Sequence, residues 1–106
     1  MSDIATIDSK IRELREHVSV ANALLNAGTG TNRAIELYEI VIQFYELSPL
    51  ENVKELIRIA SQAYLGLSYA QLKAGKKEGA EKAVQKYREL SGLLAQLEPK
   101  PAHIAR

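Results

Sequence analysis

The chain has few side chains whose types and spacing could carry chemistry. It has no cysteine, which excludes disulfides, thiolate metal ligands and cysteine nucleophiles, and its only histidines are His17 and His103. No HxxxH or HExxH motif occurs, and no carboxylate lies three residues from a histidine, so no helical metal site is predicted. Carboxylates three residues apart lie on faces predicted to be solvated, where no group would be tuned for acid–base work. Two such pairs are Glu36 with Glu39 and Glu78 with Glu81. We therefore predict no catalytic residue, no metal ligand and no cofactor.

Two short motifs have the spacing of known functional sites. Arg12 and His17 have the Arg-x4-His spacing, and this resembles the motif of HEPN-family ribonucleases, which are also small helical bundles. That resemblance implies an RNA-processing or RNA-binding protein, although in the family the pair usually lies late in the domain. The Gly-Thr-Gly-Thr run at 28–31 precedes a predicted helix, as a phosphate-binding loop does. It lacks the Gly-Lys-Ser/Thr ending and a preceding strand, so it is interpreted as a turn with a helix cap.

Composition predicts one globular domain. The chain has 106 residues, of which 46% are apolar and 25% charged. No run of about 18 apolar residues occurs, and the N-terminus lacks the pattern of a signal peptide. A soluble, cytoplasmic protein with no membrane partner is the expectation.

Charge is distributed unevenly along the chain. Residues 1–53 carry eight acids and four bases, whereas residues 54–106 carry ten bases and five acids, for a net charge of +1. Such asymmetry can steer a charged partner or favour head-to-tail contact between copies. It is too mild to predict a nucleic-acid partner, because basic and acidic residues alternate in the second half.

Glycine and proline divide the chain into helical segments with no strand-like alternation. Gly28 and Gly75 are expected as left-handed turn residues, and Thr31 as the N-cap of the second helix. The run from Ser48 to Glu51 has the pattern of a capping box with proline at the first helical position. The second helix, apolar on most sides, is predicted to be the central one.

The predicted fold class is all-α, with four antiparallel helices that form two helix-turn-helix hairpins. The first hairpin covers about 6–47 and the second about 49–97, in one domain of residues 1–97. Residues 98–106 hold two prolines and no periodicity, and are predicted to be a flexible tail.

The second half echoes the first at an offset of 46 residues, which places Ala34 on Ala80. The stretch 63–80 carries Leu-Gly, then Tyr69, then a turn glycine and an alanine five residues later. It resembles a tetratricopeptide repeat (TPR), although the spacing from Tyr69 to Gly75 is two residues longer and the usual period is 34. The alternative interpretation is a plain four-helix bundle.

The resemblance implies a non-catalytic module that binds a protein or peptide partner on the surface made by the first helices of the hairpins. At the matching positions the chain offers small or apolar residues, which would make an apolar groove suited to a partner helix or an extended peptide. These positions are Ser19, Ala23, Ala60, Ala63, Tyr64 and Leu67. Apolar residues beside the core stripes of the two terminal helices predict a homodimer as well. A small RNA-binding protein and a purely structural, self-associating subunit are the alternative functions.

Overall fold

The chain folds into four helices. The computed structural model describes the backbone of residues 2–48 and 54–97, and the side chains of residues 8–48 and 54–97. The helices are α1 (Ser2–Ala27), α2 (Thr31–Leu47), α3 (Lys54–Lys73) and α4 (Lys77–Leu97). No strand occurs within the described ranges, so the all-α class with four helices is confirmed. None of these helices combines the length and the apolar character needed to cross a membrane.

Glycines in the left-handed conformation make both turns of the hairpins. Gly28 has φ +76° and Gly75 has φ +81°, a region that a side chain disfavours. In the first turn the Gly28 N–H donates to the carbonyl of Leu25 at 3.1 Å, and in the second the Gly75 N–H donates to that of Leu72 at 3.1 Å. Both glycine predictions are confirmed. Because each turn is only three residues long, it joins helices that are antiparallel neighbours.

The hairpins also keep the offset seen in the sequence. α1 ends at residue 27 and α3 at residue 73, which is 46 residues later, and α2 and α4 begin at residues 31 and 77, again 46 apart. The two buried alanines that follow the turns, Ala34 and Ala80, each donate a backbone N–H to the residue just before their helix, at 2.9 and 3.0 Å. The internal repeat therefore has a structural counterpart in the turns.

The caps of α2 differ from the sequence prediction. Thr31 is the first residue of α2, and the N-cap is Gly30, whose left-handed backbone (φ +68°) has no side-chain cap bond. The Thr31 prediction is wrong because the carbonyl of Gly30 already accepts the first helical hydrogen bond, from Ala34. At the other end Ser48 is the C-cap of α2, and its N–H donates to the carbonyl of Tyr45. The rest of the capping box and the tail at 98–106 lie outside the described residues.

The central helix is α3, not α2. In the described part of the chain α3 packs on all three other helices, α1 packs on α2 and α3, and α4 packs on α3 alone. The apolar character of α2 is misleading because Ile40 and Leu47 point to solvent, with exposed fractions of 44% and 76%. α3 owes its position to small residues, which let its neighbours approach closely. Those that are fully buried are Ala60, Ala63 and Ala70.

One close packing contact holds α1, α2 and α3 together. Tyr38 of α2 is fully buried, and its ring crosses α3 at Gly66, where there is no side chain. A β-carbon placed at Gly66 would lie 2.5 Å from both Cε1 and the hydroxyl oxygen of Tyr38. The Tyr38 hydroxyl also donates a hydrogen bond to Oδ1 of Asn22 in α1. The absence of a side chain at Gly66 therefore lets α2 approach α3 closely.

Candidate interaction surface

The structure buries most of the residues predicted to bind a partner. Four of the six face the other helices, because α3 is the central helix and the face that carries them forms part of the core. These four are Ala60, Ala63, Tyr64 and Leu67, each with at most 8% of its surface exposed. They cannot line an open groove, so this part of the prediction is wrong. Ser19 and Ala23 of α1 are exposed, as a binding role would require.

A groove does open between α1 and α3, on the neighbouring face of α3. It has a volume of about 440 Å³. Tyr38 and Gly66 lie at its base, where the buried ring crosses α3. Its walls are Asn22, Leu25 and Asn26 from α1, and Gln62, Leu65 and Tyr69 from α3.

The groove is lined by amides and apolar side chains, and no charged residue lines it. Asn26 and Gln62 are exposed, and each carries both hydrogen-bond donors and an acceptor. Asn22 already accepts a bond from Tyr38, so its Oδ1 is oriented and its NH₂ group remains able to donate. Tyr69 stands at the groove with 56% of its surface exposed. The arrangement can form hydrogen bonds with a neutral polar backbone while apolar side chains contact the ligand.

The groove continues into an exposed stripe along α3, which we name the α3 ridge. It consists of residues that recur at alternating spacings of four and three, so that they share one side of the helix. The members of the α3 ridge are Arg58, Gln62, Leu65, Tyr69 and Leu72, none of them buried. Two are large apolar side chains more than half exposed, Tyr69 and Leu72. Such an apolar stripe on a central helix is typical of a surface that contacts a partner.

An ion-pair network ties α1 to α3 below the groove. Arg15 Nη2 donates to Glu55 Oε2 at 2.6 Å, and Arg58 Nη1 donates to the other oxygen, Oε1, at 2.7 Å. The hydrogen bond from Arg15 lowers the pKa of Glu55, against a smaller opposing effect of burial, and the charges of Arg15 and Arg58 lower it further. Glu55 therefore stays ionised and orders the two helices.

The tyrosine hydroxyls in the interior are also structural. Burial raises the pKa of Tyr38. Burial, and then a hydrogen bond to Glu46 at 2.7 Å, raise the pKa of Tyr64. Both side chains are therefore neutral donors at ordinary pH, and each links two helices.

The Arg-x4-His pair does not converge within the chain. Residues five apart on a helix are rotated by about 140° from one another, so Arg12 and His17 point to different sides of α1. Arg12 is exposed, whereas His17 is half-buried with its Nδ1 3.0 Å from the backbone oxygen of Glu13. Among the described residues no group of three or more histidines and carboxylates could hold a metal ion.

Comparisons with protein-family models, with curated proteins and with solved structures found no significant match to this chain. The resemblance to tetratricopeptide repeats therefore rests on the residues of 63–80 alone.

Sequence reasoning missed the polar lining of the groove. Asn22 and Asn26 lie four residues apart beside the apolar stripe of α1, and Gln62 precedes Leu65 and Tyr69 at helical spacing. Those spacings indicate that the residues of each set share one side of their helix. No pattern within one helix, however, shows that α1 and α3 lie side by side.

Proposed function

We propose that this protein is a non-catalytic protein–protein interaction module with a TPR-like arrangement of two hairpins. It binds an extended peptide segment of a partner in the groove between α1 and α3. The observation that carries the proposal is the uncharged, amide-lined groove that ends at the exposed ring of Tyr69. The cytoplasmic location stays a prediction from the sequence.

The chemistry of the groove matches an extended backbone better than a partner helix. A helix satisfies its own backbone groups, whereas an extended peptide presents unpaired N–H and C=O groups that need partners. Asn26 and Gln62 can each donate and accept on opposite walls of the groove. Leu25 and Leu65 supply apolar contact for the peptide side chains between those hydrogen bonds. The apolar groove expected from the sequence is therefore replaced by a mixed one.

The arrangement of the helices supports the TPR-like part of the proposal. α3 packs against both helices of the first hairpin, and α1 and α3 run side by side in the same direction, since Arg15 pairs with Glu55 and Asn22 shares the groove with Gln62. In this architecture the first helices of successive hairpins line one common surface. A four-helix bundle closed on itself would also bring α4 against α1 or α2, a contact absent between the described residues.

The test is a peptide selection followed by variants with matched controls. Peptides are selected on the immobilised protein from a random displayed library, and the affinity of the best one is measured by calorimetry. Asn26→Arg should weaken binding about tenfold or more, because it removes one pair of hydrogen bonds and fills the groove. Asn32→Arg places the same change on an exposed asparagine at the start of α2, outside the groove, and should leave the affinity unchanged. Equal effects of the two substitutions, or failure to select any peptide, would contradict the proposal.

A further inference from the structure

Two exposed apolar faces of the molecule carry opposite charge. The first lies on α2 and includes two large apolar side chains, Ile40 and Leu47, seven residues apart. We name it the α2 outer face, and it consists of Glu36, Glu39, Ile40, Gln43 and Leu47, all of them exposed. α2 has one arginine, Arg33, against three glutamates. It is therefore an acidic helix with an apolar stripe on its solvent side.

The second face is the α3 ridge, where Leu65, Tyr69 and Leu72 form the apolar stripe. Its helix is basic, with Lys54, Arg58 and Lys73 against a single carboxylate. That carboxylate, Glu55, pairs with Arg15 of α1 and with Arg58, so these three side chains together keep one net positive charge beside the lysines of α3. Two further exposed lysines follow, Lys76 in the turn after α3 and Lys77 at the start of α4.

One chain cannot bring these two faces together. The core residues of α2, such as Tyr38, point toward α1 and α3, and Ile40 lies about 200° further around the helix. The α2 outer face therefore points away from α3. A second copy of the chain has no such restriction.

The two faces also match in length and spacing. Ile40 and Leu47 lie seven residues apart, as do Leu65 and Leu72, so each pair spans about 10.5 Å along its helix. The 17 residues of α2 span about 25 Å, and the stretch from Arg58 to Leu72 spans about 21 Å. One helix of a second copy can thus lie along the whole α3 ridge.

We propose that this protein associates head to tail with itself, the α2 outer face of one copy packing on the α3 ridge of the next. This proposal goes beyond the proposed function, because it gives the α3 ridge a helical partner. The ridge shares Gln62, Leu65 and Tyr69 with the groove, so self-association and peptide binding would compete for these residues. Each copy keeps one free face of each kind, so the contact is heterologous and extends into chains unless a ring closes. The apolar side chains of the two faces provide the buried contact area. The opposite charges of the two helices favour this contact over one between two like faces.

The first measurement is the mass of the wild-type protein by sedimentation and light scattering. It should rise with concentration from about 10 µM to about 1 mM without stopping at two copies, as expected for a small heterologous interface. Raising the ionic strength from about 0.05 M to about 0.5 M should lower the mass at each concentration, because salt screens exposed charges. A mass of 11.7 kDa at every concentration in low salt would overturn the proposal.

The decisive measurement mixes two variants, each blocked on one face. Ile40→Gln with Leu47→Gln removes the apolar side chains of the α2 outer face, and Tyr69→Glu with Leu72→Glu blocks the α3 ridge, so the two altered faces acquire no opposite charges. All four side chains are at least 44% exposed, so both variants should keep the helical circular dichroism of the wild type. Each variant alone should remain at 11.7 kDa, and an equal mixture should form a species of two copies and nothing larger.

The same mixture separates the proposal from other modes of association. A variant that still associates on its own would show a contact between two like faces and overturn the proposal, as would a mixture that stays monomeric. The control is Leu97→Arg, which charges an exposed leucine of α4 that lies on neither face and should associate as the wild type does.

Failure of self-association and failure of peptide binding give different experimental results. The variant blocked on the α2 outer face keeps the groove intact and should bind the selected peptide with wild-type affinity. If that peptide binds while the mixture stays monomeric, self-association is refuted and the interaction module stands. If the mixture pairs while no peptide is selected, the α3 ridge serves self-association and the peptide proposal fails.

Discussion

The contact between Tyr38 and Gly66 makes the sharpest prediction about stability. In Gly66→Ala the new β-carbon would lie 2.5 Å from two atoms of the Tyr38 ring and hydroxyl, so the ring has to move by about 1 Å to restore an ordinary contact. That ring is fully buried, and its hydroxyl is bonded to Asn22, so it has little room to move. Overpacking of this kind costs about 1–3 kcal/mol, and a weakened hydrogen bond adds about 1 kcal/mol.

A favourable contribution opposes this cost. Alanine is a better helix former than glycine by about 1 kcal/mol, so the net loss of stability for Gly66→Ala is about 1–3 kcal/mol. The matched control is Gly92→Ala in α4, where a β-carbon would meet no atom within 4 Å. That substitution has the same propensity gain without the clash, so it should stabilise the protein by up to about 1 kcal/mol.

The assay is urea unfolding followed by far-ultraviolet circular dichroism, with the two alanine variants measured beside the wild type. Adding Tyr38→Leu to Gly66→Ala should make the double variant more stable than the sum of the single effects by about 1 kcal/mol or more, because the smaller side chain removes the clash. If Gly66→Ala is as stable as Gly92→Ala, the ring of Tyr38 does not cross α3 at Gly66 and the packing argument fails.

Two further predictions concern the second turn and the ion-pair network. Gly75→Ala should destabilise the protein by about 1 kcal/mol in urea unfolding, because the backbone of residue 75 has a φ of +81°, which is strained for any side chain. A β-carbon at this position meets no atom within 4 Å, so a stability equal to that of Gly92→Ala would refute this explanation. Glu55→Gln should cost at most about 1 kcal/mol at pH 7, because the network is partly exposed. Since the pKa of Glu55 is lowered in the folded state, its contribution is present above the unfolded-state pKa and is lost as the pH falls through the folded-state value. The difference between wild type and variant should therefore shrink as the pH falls below the unfolded-state pKa of about 4.3, and a difference as large at about pH 2 as at pH 7 would contradict the assignment.

The residues that line the groove could be predicted only in part from the sequence. The pattern at 63–80 covers much of α3, and Tyr69 of that pattern lines the groove. The predicted partner contacts on α3, such as Ala63, lie instead on its buried face, because the family's positions do not show which side of this helix is covered. On α3 the packed side carries small residues such as Ala63 together with large ones such as Tyr64 and Leu67, so side-chain size alone does not show which side is open.

Neighbouring residues in the sequence are sufficient to predict the helical segments and the two glycine turns. The ends of α1 and α3 follow from Gly28 and Gly75, and α4 ends at Leu97, where the second predicted hairpin ends. These features depend on backbone conformation and on periodicity within one segment, so they can be inferred from neighbouring residues alone.

The identity of the central helix and the position of the groove depend on how the four helices pack together. α2 is more apolar than α3, yet Ile40 and Leu47 remain in solvent while the serines of α3 are buried. Burial of Ser61 and Ser68 is possible because each hydroxyl donates to a carbonyl of its own helix, at 2.8 and 2.6 Å, and so needs no water. The count of apolar residues cannot reveal this, because the position of a helix depends on how closely its neighbours can approach and on whether its polar groups find partners.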